Sequence, residues 1–130
     1  MIKLTLLTLT ALLLSACTSP QASEEISIEL NKNFPLRINQ TAVLEEKDFQ
    51  IKFLEITEDS RCPSDVDCFW AGQVIAKLQS KNNAEISLKT QEEKIIENYK
   101  VQLLDIQPYP KTSQKIESTN YIATLRISEK

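Results

Sequence analysis

The chain has 130 residues, 42% of them hydrophobic and 25% charged, a composition that supports one small globular domain built around one core. It contains no histidine and a single glycine, which removes Ser-His-Asp and Cys-His catalysis, imidazole metal sites and the glycine-rich loops that cradle phosphates. Fifteen basic against eighteen acidic residues give a net charge of -3 with no Lys/Arg cluster, so nucleic acid is not an expected partner.

The first element along the chain is an export signal. Lys3 supplies a positive charge, Leu4 to Leu14 holds only Leu, Thr and Ala, and Ser15-Ala16 supplies small residues, a pattern too short to span a bilayer as a mature helix. The run closes on Leu14-Ser15-Ala16-Cys17, which resembles the lipobox of bacterial lipoproteins. That resemblance implies that segment 1–16 is removed as a lipoprotein signal peptide, that Cys17 becomes the acylated N-terminus, and that the lipid holds the protein to the membrane of the cell envelope. Several acyl chains on one residue make a stable anchor where a single chain is marginal. Thr18 occupies the position where Asp favours inner-membrane retention, so in a Gram-negative host the resemblance implies an outer-membrane address facing the periplasm. Residues 17–25 read as the lipidated N-terminus and a flexible tether, because Thr18 to Glu25 is polar and aperiodic. One β domain is expected over 26–130.

Beyond the tether the hydrophobic period is two. Ile26, Ile28 and Leu30 alternate with polar residues; Phe34 to Ile38 repeats the pattern with Pro35 suited to a sheet edge; Thr41 to Glu45 reads as a short strand. After the polar turn Glu46-Lys47-Asp48 come Phe49, Ile51 and Phe53, whose order slips by one residue to Leu54 and Ile56, the mark of a bulge. Val74, Ala76 and Leu78 form the next strand, and Lys81-Asn82-Asn83 turns it into Ile86 and Leu88 as a hairpin. Gln91 to Asn98 suits either a short helix or a strand. Tyr99, Val101 and Leu103 face one way before a second slip at Leu104 and Ile106, and Tyr121, Ala123, Leu125 and Ile127 close the series. About seven short strands without an intervening helical pattern predict an all-β fold, an antiparallel Ig-like β-sandwich, with a small β-barrel as the alternative.

Function is expected in the two long connections, Asp59 to Ala71 and Ile106 to Asn120, because loops carry recognition while strands carry packing. The stretch Glu58 to Gly72 around the first gathers two cysteines, two aromatics, three aspartates and the only glycine of the chain. With Cys17 committed to lipid, Cys62 and Cys68 remain as a pair, and an oxidising compartment makes them a disulfide. Closing so small a ring stabilises by only about 2 kcal/mol, so its larger effect is to fix the loop's shape. The stretch Asp59 to Gly72 resembles a D-S-R-C-P-x-D-V-x-C-x-W-A-G signature of small secreted or lipidated bacterial proteins, with the likeness reaching into Gln73 to Leu78 and Pro108-Tyr109-Pro110. The resemblance implies a β-rich exported domain and brings no activity with it.

Taken singly, Trp70 reads as packed on the disulfide with Phe69 facing the other way, and Tyr109 as an aromatic packed in a rigid turn. Arg61 reads as an internal ion pair or backbone cap ahead of a ligand carboxylate. Asp59, Asp65 and Asp67 lack the glycine and terminal Glu of a calcium loop, and C-x₅-C on a β scaffold lacks the helix start that redox cysteines use, so neither metal nor cofactor is expected. No spacing singles out a catalytic carboxylate pair. The expectation is a lipid-anchored, non-enzymatic binding or structural protein, with Arg61, Ser64, Asp65, Asp67, Phe69 and Trp70 as the candidate binding loop and an envelope protein or small ligand as partner. The alternatives are a periplasmic inhibitor of a secreted or envelope enzyme and, more weakly, a redox or hydrolytic enzyme. Where Arg61, Ser64, Asp65 and Asp67 are exposed and unpaired, their replacement should cost within about half a kcal/mol.

Overall fold

The computed structural model describes residues 23–130; segment 1–16 and Cys17 lie outside the described residues. Nine strands form two sheets: β1 (Glu25–Ser27), β2 (Asn33–Arg37), β3 (Thr41–Leu44), β4 (Phe49–Asp59), β5 (Val74–Ser80), β6 (Glu85–Lys89), β7 (Glu93–Ile96), β8 (Tyr99–Gln107) and β9 (Ile122–Glu129). The five-stranded sheet has the order β1-β3-β4-β5-β6 and the four-stranded sheet β2-β9-β8-β7. The sheets stay open, so the fold is a β-sandwich and not the barrel. The count is nine, not about seven, with Glu93–Ile96 among the strands. The ambiguous segment Gln91 to Asn98 becomes β7 because Ile96 and Lys94 find register partners in Tyr99 and Val101 of the next strand. One pair departs from the antiparallel rule: β1 lies parallel to β3, Glu25 opposite Thr41. The fold begins slightly before residue 26, since the Glu24 carbonyl accepts a hydrogen bond from the Thr41 amide at 2.9 Å.

The alternating residues do what their period dictates. Phe49, Ile51 and Phe53 from β4, Val74, Ala76 and Leu78 from β5, Val101 and Leu103 from β8, and Ala123, Leu125 and Ile127 from β9 are all buried and meet in one core between the sheets. Both slips in the pattern are register shifts, between Phe53 and Glu55 on β4 and between Leu103 and Asp105 on β8, and each re-aims the strand end that leads into a long connection. Pro35 sits on β2, an edge strand, where its missing N–H costs no ladder bond.

The chain direction of the strands separates two ends of the sandwich. One end carries the start of β1, the β2–β3 turn, the β4–β5 connection and the β8–β9 connection. The other carries the β1–β2, β3–β4, β5–β6 and β7–β8 turns.

Candidate functional site

The β4–β5 connection, residues 60–73, is anchored at its base by a two-strand clasp. The Ser60 amide donates to the Gln73 carbonyl at 2.8 Å, and the Gln73 amide donates back to Ser60 Oγ at 3.1 Å. Gly72 makes this closure possible: its φ is +65°, and a Cβ there would lie 1.9 Å from the Ser60 carbonyl oxygen. Only glycine fits both the left-handed backbone and the close approach. Cys62 and Cys68 are joined by a disulfide, with Cα atoms 5.9 Å apart, which closes the distal half of the loop.

Arg61 locks this loop onto the β8–β9 connection. Its Nε and Nη2 each donate to Asp59 carboxylate oxygens at 2.7 Å, a fork-on-fork pair, while Nη1 donates to the Ile106 carbonyl at 2.7 Å and Nη2 to the Pro108 carbonyl at 3.0 Å. The guanidinium also lies over the Tyr109 ring, 5.2 Å from its centre. The side chains of Arg61 and Asp59 are 10% and 11% exposed, so this is a desolvated pair. Tyr121, buried just ahead of β9, donates its hydroxyl to Asp59 at 3.0 Å, and Tyr109 donates to Asp105 at 2.8 Å. A second lock stands farther out: Asp65 accepts from the Thr112 amide at 3.1 Å and the Thr112 hydroxyl at 2.6 Å, and the Ser64 amide donates to the Pro110 carbonyl at 2.9 Å.

The electrostatics follow these contacts. Burial pushes the Asp59 carboxyl upward, but the hydrogen bonds and charge of Arg61 and the Tyr121 hydroxyl outweigh it and hold the group below the ordinary carboxylate range. Asp65 is lowered by its two bonds from Thr112. At Asp105 burial again raises, and donors from Gln107 and Tyr109 carry the balance downward. Burial, and then the Asp59 carboxylate, push Tyr121 up to about 12. Three carboxylates held ionised and saturated with donors, beside a tyrosine held protonated, make a framework and not an acid–base pair poised near neutrality. Among the described residues no group of three or more His, Cys, Asp or Glu side chains is placed to hold a metal ion.

The residues of the candidate binding loop thus divide. Arg61 is held in the internal ion pair that its neighbouring aspartates suggested, and Asp65, though exposed, is bonded to Thr112, so neither is the unpaired side chain that free replacement would require. Ser64 and Asp67 are exposed. Trp70 is not the buried residue expected: it is 63% exposed, and neighbouring Phe69 is 105% exposed, so both stand outside the core. The reason is that the core is already complete without them, filled by strand residues that alternate inward. Tyr109, expected as a packed turn aromatic, has its face under Arg61 yet remains 49% exposed. Sequence reasoning missed Tyr121, Thr112 and Asp105 as partners of the loop. They lie 62, 47 and, for the Tyr109–Asp105 bond, 4 residues from their counterparts, and only the last spacing falls within reach of a local signal.

A shallow depression of about 270 Å³ beside this cluster is lined by Pro108, Tyr109, Lys111, Gln114, Lys115, Ile116 and Asn120. It is smaller than the clefts of roughly 300–1,000 Å³ that enclose small ligands. Compared with known proteins, the chain matches no family model, no curated sequence and no solved structure.

Proposed function

We propose that this protein is a lipid-anchored component of the cell envelope whose β-sandwich presents the disulfide-stapled loop 60–73 as a non-enzymatic recognition surface. The observation that carries the reading is the division within the loop: Asp59, Arg61, Cys62, Asp65, Cys68 and Gly72 hold its shape, while Phe69 and Trp70 are left facing outward. A large apolar pair held in a preformed loop loses little conformational freedom on binding, which is how rigid loops gain affinity. Aromatic side chains are also the residue type that dominates recognition surfaces. The saturated, ionised carboxylates and the protonated Tyr121 support a binding role over hydrolysis, and a half-buried disulfide that closes a loop away from any helix start supports a structural bridge over a redox centre. Recognition by the exposed pair suits a surface more than an enclosed small molecule, given the modest depression beside it.

The test combines two measurements on the full chain in its host envelope. Labelled palmitate should enter the wild-type protein and not Cys17→Ser; equal labelling, or none in either, refutes the anchor. A photocrosslinking side chain at position 69 should form adducts, whereas one at Lys47, at the opposite end of the sandwich, should not. Adducts from position 47 alone, or equally from both, refute presentation by the loop.

A further inference from the structure

The strand directions place the exposed aromatic pair relative to the anchor. β3 runs antiparallel to β4 with Thr41 opposite Lys52 and Leu44 opposite Phe49, and β1 runs parallel to β3 with Glu25 opposite Thr41. Followed backward from Glu25, the chain therefore leaves the sandwich toward the Asp59 end of β4, the end that carries loop 60–73. From the level of Lys52 to Asp59 is seven residues of strand, about 23 Å at 3.3 Å per residue. Cys17 to Glu24 is eight residues. Fully extended they reach roughly 26–29 Å, and as a flexible coil they span only about 14–17 Å. The strand distance falls between the coiled and the fully extended span of the tether, so a partly extended tether brings Cys17 level with the loop.

The distribution of surface agrees. Among the described residues the exposed large hydrophobics are Val66, Phe69, Trp70, Tyr109 and Ile95, and the first four sit at this end. Ile95 lies on edge strand β7. The opposite end exposes Glu29, Glu45, Glu46, Lys47 and Asp48 instead. Lys111 and Lys115 of the adjoining β8–β9 connection are exposed and line the depression beside Tyr109, a source of positive charge at this end, while Arg61 is already satisfied. The stapled ring exposes two acids, Asp65, which is bonded to Thr112, and Asp67, and ionised carboxylates stay out of hydrocarbon, which limits any insertion of this loop to a shallow one. Trp is the side chain enriched at headgroup level, its ring half in hydrocarbon and half in water.

We infer that Phe69 and Trp70 insert into the interfacial region of the same bilayer that holds Cys17, so that the domain rests loop-down on the membrane. The inference rests on the reading of Cys17 as the anchor and gives the recognition loop a definite partner, a phospholipid surface. Because the acyl chains already secure attachment, the loop sets orientation and the opposite end is what faces away from the membrane.

Trp70 is the chain's only tryptophan, so its native fluorescence reads the contact directly. The processed, acylated protein is reconstituted in phosphatidylethanolamine–phosphatidylglycerol vesicles that contain phospholipid brominated near the top of the acyl chain. Trp70 emission should shift to the blue and lose most of its intensity, more with shallow than with deep bromines. Phe69→Asp, at a fully exposed position, should keep its melting temperature and lose the quenching. Emission that stays unquenched in a protein shown to carry fatty acid overturns the insertion and leaves the anchor standing, as it would if the loop held a protein instead. Quenching that persists unchanged in Phe69→Asp overturns the assignment of the tip. If no fatty acid is incorporated, the anchor reading fails, and quenching of the added protein by the same vesicles still decides the insertion by its presence or absence.

Discussion

Arg61→Ala removes, in one substitution, every direct tie between the base of the stapled loop and the β8–β9 connection that runs through a side chain of that residue. Lost are two 2.7 Å bonds to Asp59 and bonds to the Ile106 and Pro108 carbonyls at 2.7 and 3.0 Å. Charge-assisted bonds contribute about 1.5–3 kcal/mol each, but bonds to one side chain do not add. Taking one partner from a buried ion pair costs about 3–5 kcal/mol, chiefly through the charge left behind. Here Asp59 keeps the Tyr121 hydroxyl and has 11% of its side chain exposed, which places the cost at the lower end of that range, about 3 kcal/mol. For a domain near a hundred residues each kcal/mol moves the melting temperature by about 4 °C, so a fall of roughly 12 °C is expected. Thermal melts followed by circular dichroism measure the fall, and urea denaturation followed in the same way measures the free energy. Arg61→Lys, which restores a charge without the planar fork, should recover only part. An Arg61→Ala protein within about 0.5 kcal/mol of wild type, the range of an ordinary surface change, would refute the framework role.

Gly72→Ala should destabilise by more than the roughly 1–2 kcal/mol of a left-handed backbone alone, because its Cβ would also collide with Ser60 backbone; a melting temperature equal to wild type would dismiss the clasp. Acid should weaken the domain in a defined window. Asp59, Asp65 and Asp105 titrate below 3.8 when folded, so their contribution is complete above that value and is lost as pH falls through the lowered ones. Thermal melts should therefore hold steady at neutral and mildly acid pH and drop below it, and a flat profile through that window would count against the hydrogen-bonded carboxylates. Tyr121 acts at the other limit: raised to about 12, it favours the folded state fully below its ordinary value of 10.0 and loses that contribution as pH rises through about 12, a loss that Tyr121→Phe should not show.

Periodicity of two is a local property, and it alone announced the β class, the inward residues of each strand, the edge character of Pro35 and the bulges at Leu54 and Leu104, since a slipped alternation can be relieved only by an extra residue in one strand. Cysteine arithmetic likewise paired Cys62 with Cys68. The sense of each loop side chain depended on contacts that local pattern does not contain. Whether Arg61 faced a ligand or Asp59 turned on where the Ile106 and Pro108 carbonyls lay, 45 and 47 residues away. Whether Trp70 was inside or outside turned on space, and twenty buried hydrophobic residues, nearly all from the strands, had filled it. The parallel start of β1 and the end of the sandwich from which the tether leaves are properties of strand order, which alternation cannot encode because every strand of either sense reads the same along the chain.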